Sequence, residues 1–466
     1  MREHLGKSAI MLALGACVAT LISTPSHAQA AHPTKTHTLS LADKKAVIAK
    51  AGEHLTANYI YPDRAAEAKA KLDAALIAGE YDSISTPEAL AKKLTSDLQS
   101  VTHDGHLMVF PPPAPRPAAV SPRPASQRVY AGFSHVDRLK GNIGYIKLRN
   151  FPGPAGPFGQ TAIQAMTDLA GTDALIIDLR DNGGGDHAGA YYLSSFLFDS
   201  KTPVHIDSLV TRVPSTHEFK TTDFYTRPVP VSYLNKPVYL LTSKRTRSAA
   251  EMFLYSLQAQ KRARIVGEVT PGSANGTAGH ELPFFFSIGI PFMRVLNPVT
   301  KKNFEGTGVI PDLAVDEGLA FQTAMREIVA RDSAKYAALK TEIENQSAEE
   351  VFVEARLLKF RDQPQPGSAD AMRGLFIGIA SGKPDYTKMS DEVAQMIKSD
   401  LDFFHNDMKR LGDVKAVTFI GVDTRGLDEY EVRTATFTER FGIYLGPDGK
   451  IVSARFQPPV PLPPQP

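Results

Sequence analysis

The sequence has 466 residues, of which 42% are hydrophobic and 22% are charged. These are ordinary values for a globular protein, and at about 150 residues per domain the length predicts two to four domains. Lys and Arg total 52 against 50 for Asp and Glu, a net charge of +2, which excludes a strongly basic nucleic-acid binder as the expected class.

Residues 1–28 are typical of a signal peptide. A positively charged start precedes an apolar run from Ser8 to Ile22, and the small residues Ser26 and Ala28 mark a cleavage site. The run is short of the about 20 apolar residues that span a bilayer, which favours export over an uncleaved anchor. We therefore expect a periplasmic or secreted protein without a stable membrane span in the mature chain.

The single cysteine, Cys17, lies inside this segment. The residues before it loosely resemble a lipoprotein cleavage box, but Gly15 is atypical there and the apolar run continues past Cys17. Ordinary export is therefore preferred to lipid attachment. The mature chain then contains no cysteine and needs no disulfide.

Residues 40–110 are predicted to form a helical N-terminal domain. Apolar residues recur at spacings of three and four, and Thr86-Pro87 is typical of a helix start. Residues 111–128 are rich in proline and alanine, which indicates an extended linker.

Residues 129–318 alternate between strand-like and helix-like segments. Apolar runs at Ile143–Leu148, Ala174–Leu179, Val238–Thr242 and Arg264–Gly267 are separated by helical stretches. This order predicts an α/β core with a largely parallel sheet. Residues 319–362 are predicted to be a helical connection, with the helical pattern running to about Leu358.

Residues 363–457 are predicted to form a separate C-terminal α+β domain. Helical segments up to Leu411 precede four strand-like stretches, and Gly446-Pro447-Asp448-Gly449 is a hairpin turn by composition. We find no catalytic motif in this domain. Its role is open between shielding an active site elsewhere in the chain, forming a homo-oligomer and binding a substrate. Residues 458–466 are expected to be a disordered tail.

Ser248 is the first candidate catalytic residue. It follows an apolar strand and a polar turn, and it opens the helix that begins Ser248-Ala249-Ala250-Glu251. The plain structural interpretation is a capping box, in which the serine caps the helix and Glu251 reaches back. A serine there is also well placed to react, because the free N–H groups of a helix N-terminus stabilise a developing oxyanion.

The strand Ala174–Leu179 leads into Gly183-Gly184-Gly185, which is the second candidate element. Such glycines let the backbone approach a ligand closely and direct N–H groups at it. Neither phosphate-binding pattern, G-x-x-x-x-G-K-[ST] or G-x-G-x-x-G, is present in this turn. A tight strand-to-helix turn without function is the alternative.

Together these motifs resemble the tail-specific (C-terminal processing) serine peptidases. The resemblance rests on the ordered set D-L-R-x-N-x-G-G, T-S-x-x-T-x-S-A-A-E, R-A-R-I-V-G-E-x-T and the late G-T-G-V-I-P-D, within about residues 45–315. It implies that Ser248 is the nucleophile, with the N–H groups of Ala249 and of Gly184 or its neighbour as the oxyanion hole. Many members carry a PDZ domain before the core, for which this sequence has no room.

The expected general base differs from that of many tail-specific peptidases. Where a lysine is often found, this sequence has Ser273, which excludes a Ser–Lys pair at that place. The branch that resembles the tricorn protease core and the retinoid-binding-protein-like members uses a histidine ahead of the core, and Asp104-Gly105-His106 matches its pattern. His106 suits a general base because an unperturbed histidine has a pKa of about 6.5. A surface turn is the alternative for His106, and a metal site with His103 lacks a third ligand.

The same branch carries a late glutamate that orients the site, and Glu305 stands at its place. An ordinary surface glutamate is the alternative. Asp186 and His187 follow the glycines but have no role in the family pattern.

The resemblance therefore implies a serine peptidase that acts on peptides or proteins by acyl transfer, with catalytic residues Ser248, His106 and Glu305 and no cofactor or metal. Two alternatives remain open: an apolar-ligand-binding member of the same fold without catalysis, and an esterase with the same triad.

Overall fold

The computed structural model describes residues 39–112, 129–435, 437–456 and 460–461. The predicted signal peptide, Cys17 and all but two residues of the proline-rich linker lie outside these ranges. Within the described residues, no helix is both long and apolar enough to cross a membrane.

The described residues contain eleven α-helices. In chain order they are α1 Leu41–Asn58, α2 Pro62–Ile77, α3 Pro87–Thr102, α4 Pro157–Leu169, α5 His187–Ser195, α6 Ala249–Ala259, α7 Glu317–Arg331, α8 Ala337–Asn345, α9 Ser368–Ala380, α10 Asp391–Ser399 and α11 Leu401–Leu411.

The described residues also contain seventeen strands. They are β1 Met108–Phe110, β2 Phe133–Leu139, β3 Ile143–Leu148, β4 Ala174–Asp178, β5 His205–Arg212, β6 Phe219–Tyr225, β7 Val238–Thr242, β8 Arg264–Gly267, β9 Gly276–Glu281, β10 Ser287–Leu296, β11 Leu313–Ala314, β12 Val353–Arg356, β13 Ala416–Val422, β14 Asp428–Arg433, β15 Phe437–Leu445, β16 Ile451–Phe456 and β17 Val460–Pro461.

The central sheet has the order β11-β8-β7-β4-β3-β2-β12. Neighbouring strands from β11 to β3 pair in parallel, while β2 and β12 extend the sheet in antiparallel fashion. Helices α4, α5 and α6 cover one face and α7 and α8 cover the other. Strands β4 and β7 are buried along their whole length, as expected for parallel strands between two helical layers. The expected α/β core with a largely parallel sheet is confirmed.

A second sheet, which was not predicted, is antiparallel and has the order β1-β10-β5-β6, with β9 also paired to β10. Helices α1, α2 and α3 pack on it, and their buried side chains share one apolar cluster with Leu282, Phe286, Ile288 and Ile290. The N-terminal helices are present as expected, and α3 begins at Pro87 with Thr86 as its cap. The apolar face of these helices is therefore buried by residues 282–290, which were predicted to belong to the core.

The expectation of helix to about Leu358 is wrong for its last part. The helical pattern ends with α8 at Asn345, and Val353–Arg356 form β12, which pairs with β2. The alternating burial of its four residues fits a strand at a sheet edge. Edge pairing therefore decides the conformation of a segment that is too short to show a clear period.

The C-terminal part is an α+β unit, as expected. Helices α9, α10 and α11 pack on the antiparallel sheet β13-β14-β15-β16 and form a separate apolar cluster. The predicted turn joins β15 and β16, where the N–H of Gly446 donates to the carbonyl of Lys450 at 2.8 Å. Of residues 458–466, expected to be disordered, the structure describes Val460–Pro461, which pair with β15 as β17.

Candidate active site

Ser248 lies in a strained turn between β7 and α6. Its backbone has φ 56° and ψ −123°, a conformation that an L-residue adopts at a cost of about 1–3 kcal/mol. The side chain stands at the N-terminus of α6, where the N–H of Ala249 has no acceptor within the helix. A strained backbone of this kind is kept only when neighbouring segments fix it in place. Two neighbouring turns do so for Ser248.

The first of these turns is the glycine turn after β4. Gly184 has φ +102°, and a Cβ placed on it would lie 2.7 Å from Cβ of Ser248 and 2.8 Å from the carbonyl oxygen of Arg247. Only glycine therefore lets this backbone pass so close to the serine. Asn182 joins the two turns, because its backbone carbonyl accepts the N–H of Arg247 at 3.0 Å.

The amide of Gly184 is already engaged. It donates to Oδ1 of Asn182 at 2.8 Å. The expected part of Gly184 in an oxyanion hole therefore requires that this bond be shared or exchanged, while Ala249 offers its N–H at the helix start.

Glu251 holds the second turn, residues 270–275, against the start of α6. This carboxylate is fully buried and accepts the N–H of Ser248 at 2.9 Å. It also accepts the hydroxyl of Thr270 and the N–H groups of Gly272 and Ser273, at 2.5, 2.7 and 2.9 Å. Its role goes beyond the capping box seen in the sequence, since it ties two separate segments together.

Glu305 binds the same turn from the other side. Its Oε2 accepts the N–H groups of Ala274 and Asn275 at 2.6 and 3.0 Å. Burial, and next the negative charge of Asp104, raise the pKa of Glu305 to about 7, although the two N–H donors act in the opposite direction. Glu305 is thus a half-buried carboxyl group that stabilises the turn.

His106 lies in the turn between α3 and β1. Its backbone N–H donates to Oδ1 of Asp104 at 3.0 Å. Burial lowers the pKa of His106; the charges of Asp104 and Glu251 raise it, and that of Arg247 lowers it. The charges of Arg247 and Glu251, which stand on either side of Ser248 in the sequence, therefore both act on His106.

A continuous series of contacts thus links the predicted site residues. Contacts run from Gly184 to Ser248, through Glu251 and the 270–275 turn to Glu305, and through Asn275 to Asp104 and His106. Among the described residues, no hydrogen bond joins the Ser248 hydroxyl to the His106 ring, and Nδ1 of His106 is buried without a partner.

Other residues weighed in the sequence lie apart from this arrangement or serve the fold. His103 is exposed and caps the C-terminus of α3 in a left-handed conformation. The described residues contain no group of three or more side chains suited to hold a metal ion. Asp186 caps α5, and His187 packs edge-on against Tyr191 and Phe224.

Two residues of the arrangement were missed in the sequence. Asp104 was visible in the D-G-H pattern, although no role was assigned to it, and it is buried with 2% of its surface exposed. Asn275, which donates to Asp104 at 2.9 Å, follows no recognisable motif.

The family comparison covers the core and the N-terminal helices. Residues 142–315 match the family described as "Peptidase family S41", and residues 35–134 match "N-terminal domain of Peptidase_S41 in eukaryotic IRBP".

Among curated proteins, the chain is similar to the "Carboxyl-terminal-processing peptidase 2, chloroplastic" of Arabidopsis thaliana, with 30% identity over 172 residues, which cover 36% of this chain and 31% of the relative. It is also similar to the "Carboxyl-terminal-processing protease" of Picosynechococcus sp., with 25% identity over 188 residues, covering 40% of this chain and 42% of the relative. The matches therefore span less than half the length of these relatives.

Among solved structures, the photosystem II D1 C-terminal processing protease matches with a TM-score of 0.41 and 14% identity, over 62% of this chain and 96% of that chain.

Proposed function

Because the chain belongs to peptidase family S41, we propose that it is a serine-type peptidase with Ser248 as its nucleophile. The observation that carries the proposal is the strained backbone of Ser248 at the start of α6, with the Gly184 backbone directly beside it. A helix cap alone does not require a serine with positive φ, since capping residues ordinarily have extended backbones. The strain fits a serine that is presented for reaction.

The proposed reaction is acyl transfer through a covalent intermediate. The proton of the Ser248 hydroxyl moves to His106 while Oγ forms a bond to the carbonyl carbon of the substrate. The carbonyl oxygen becomes an oxyanion, stabilised by the N–H of Ala249 and by the glycine turn at Gly184. The leaving amine takes the proton from His106, and water then hydrolyses the acyl-enzyme by the reverse proton path.

The electrostatics of His106 support its role as the base. Burial lowers its pKa from the ordinary value of 6.5, so the ring is neutral and able to accept a proton near neutral pH. Glu305 supports the site by fixing the 274–275 turn through two backbone N–H groups.

The proposed substrates are peptides or proteins in the cell envelope or outside the cell. The relatives named above are carboxyl-terminal-processing peptidases, which favours a peptide substrate over an ester. The export of this chain rests on residues 1–28, whose pattern is that of a signal peptide.

The test is labelling of the purified protein with a fluorophosphonate, followed by mass spectrometry of the labelled peptide. We expect the label on Ser248. Ser248→Ala should abolish labelling and lower peptide turnover by about a million-fold, as when one member of a catalytic unit is removed.

The variant should fold, because loss of a helix-capping side chain costs about 1 kcal/mol. Ser333→Ala, at an exposed serine, is the matched control and should keep full activity. Turnover by folded Ser248→Ala, or a label on another serine, would contradict the proposal. A protein that neither labels nor cleaves peptides would favour the apolar-ligand-binding alternative.

A further inference from the structure

Asp104 is a buried carboxylate in the site that none of the proposed catalytic steps uses. It is 2% exposed and accepts three hydrogen bonds. Its Oδ2 accepts from the hydroxyl of Tyr59 at 3.1 Å and from Nδ2 of Asn275 at 2.9 Å, and its Oδ1 accepts from the backbone N–H of His106 at 3.0 Å.

These three donors come from three different parts of the molecule. Tyr59 ends α1, Asn275 belongs to the turn that Glu305 holds, and His106 belongs to the turn after α3. Asp104 therefore fixes the position of the histidine relative to the 270–275 turn, which in turn is tied to Ser248 through Glu251.

The three donors are electrically neutral, which leaves the charge of Asp104 without a counterion. No ion pair to Asp104 is formed within the described ranges, whereas the buried Asp97 of α3 is paired with Lys93. A buried negative charge is costly unless a cation compensates it. The cation that would appear beside Asp104 is the imidazolium of His106, formed when the ring takes up a proton.

The effects of the nearby charged groups on the pKa of His106 are consistent with Asp104 stabilising the imidazolium. Asp104 has the largest effect among them and favours the protonated ring; Glu251, from α6, acts in the same direction, and Arg247 opposes both. Glu305 acts instead on the turn at Ala274 and Asn275, through its two backbone hydrogen bonds.

We propose that Asp104 is the positioning residue for His106 and supplies the negative charge that stabilises its imidazolium, while Glu305 holds the opposing turn. The inference rests on the proposed function, in which the O–H bond of Ser248 breaks, the proton passes to His106 and Oγ bonds to the substrate carbonyl carbon. The charge acts through space, since Nδ1 of His106 has no hydrogen-bond partner among the described residues.

The test measures the pKa of His106 directly, by NMR titration of protein labelled with ¹³C at Cε1 of histidine. The signal of His106 is assigned by its absence in His106→Gln. In Asp104→Asn, the pKa of His106 should fall by roughly one unit, because a stabilising negative charge is removed. The rate of Ser248 labelling by fluorophosphonate should fall at least about tenfold, since the base is less well stabilised when it is charged.

Two matched carboxylate-to-amide changes separate this role from a general loss of structure. Glu305→Gln should leave the pKa of His106 in place. Asp97→Asn removes another buried aspartate of the helical layer that accepts a tyrosine hydroxyl, that of Tyr81 at 2.8 Å, and should change neither the His106 pKa nor the labelling rate.

Tyr59→Phe provides a test of opposite sign, which also serves if Asp104→Asn does not fold. It removes one donor from Asp104 and leaves the charge less compensated, so the pKa of His106 should rise. An unchanged His106 pKa in folded Asp104→Asn, an equal fall in Glu305→Gln, or no rise in Tyr59→Phe would overturn the inference. Because the titration needs no turnover, failure of the proposed function shows separately, as absence of Ser248 labelling in the wild-type protein.

Discussion

Titration of the single side chain Glu305 should make the free energy of unfolding depend on pH. Its pKa is raised from 4.5 to about 7, chiefly by burial, so the folded state holds the proton more tightly than the unfolded state. This stabilisation is fully present below pH 4.5 and is lost as the pH rises through about 7. The loss can reach about 3 kcal/mol, from 1.36 kcal/mol per pKa unit.

Glu305→Gln should remove this dependence, because the amide does not ionise. The variant should resemble the wild type in free energy of unfolding at pH 4 and exceed it at pH 8, as measured by urea titration at both values. Asp207, whose pKa is likewise raised to about 7, affects both proteins equally. An equal difference between variant and wild type at both pH values would show that Glu305 does not titrate in this range.

Gly184 and Gly183 form a matched pair for the close approach to Ser248. A Cβ on Gly184 would lie 2.7 Å from Cβ of Ser248, at φ +102°, whereas a Cβ on Gly183 would meet nothing within 4 Å. Gly184→Ala should therefore displace the serine turn and reduce fluorophosphonate labelling strongly. Gly183→Ala should label at close to the wild-type rate. Equal labelling of the two variants would mean that the backbone at 184 does not shape the site.

At the residue scale, the motifs predicted one site from Ser248, His106, Glu305 and the glycine turn. In the structure a series of hydrogen bonds and close contacts links these residues, and their catalytic roles stay predictions. The contact between Asp104 and Asn275 could not be predicted, because the two residues are 171 positions apart and meet only through the packing of the helical layer on the core. Local spacing identifies candidate side chains; which of them share a hydrogen bond depends on tertiary structure.

The N-terminus of α6 depends on Glu251 for its attachment to the 270–273 turn. Glu251→Gln leaves an amide group among four donors, so at least one of the donors loses its acceptor. We expect the free energy of unfolding to fall by about 3 kcal/mol, since hydrogen bonds to charged groups contribute about 1.5–3 kcal/mol each. Urea unfolding measures this, and Ser248 labelling should fall with it.

The control for this element is Glu327→Gln on α7, whose carboxylate makes a surface ion pair with Arg264. That change should alter stability by less than about 1 kcal/mol. Similar losses in the two variants would show that the buried anchor contributes no more than an exposed pair.

Elements with apolar runs could be predicted closely, and elements without them could not. Strands β3, β7 and β8 have the expected bounds. Strand β6 was missed because five of its seven residues are exposed and no apolar run marks it. Strand β10 was missed because Pro291 interrupts its apolar stretch. Strand β12 is four residues long, and its conformation depends on the free edge of β2.

At the scale of the whole molecule, the described chain contains separate apolar clusters. The cluster of the C-terminal unit, centred on residues such as Phe441, is distinct from that around α4, α5 and α6, which includes Phe158. The N–H of Ala131 in the core donates to the carbonyl of Thr424 in the C-terminal unit, and Arg361 of the connecting segment forms an ion pair with Asp428. Units joined in this way are expected to unfold in separate steps.

Scanning calorimetry should therefore resolve more than one transition. Phe441→Ala and Phe158→Ala each remove a fully buried ring, at a cost of about 3–5 kcal/mol. Phe441→Ala should lower one transition and leave Ser248 labelling intact below it, while Phe158→Ala should lower another. A single transition shifted by both variants would indicate one cooperative unit.

The N-terminal helices do not form a domain that is continuous in sequence. Their helical periodicity was plain in the sequence, but their buried partners, at positions 282–290, follow them by almost two hundred residues. The hydrogen bond between Asp104 and Asn275, which joins the His106 turn to the turn that Glu305 holds, therefore forms only when this layer is docked on the second sheet.

The positive φ of Ser248 has a consequence for the evolution of this protein. Glycine would adopt this conformation without strain, so a lineage with no need for the hydroxyl would gain stability by replacing the serine. Most mutations destabilise, and proteins sit close to the stability they need, so a replacement that is both stabilising and free of cost should spread readily. Serine at position 248 is therefore less stable than glycine would be unless the hydroxyl is needed, and we expect glycine at this position more often in relatives without a histidine at the place of His106 than in relatives with one.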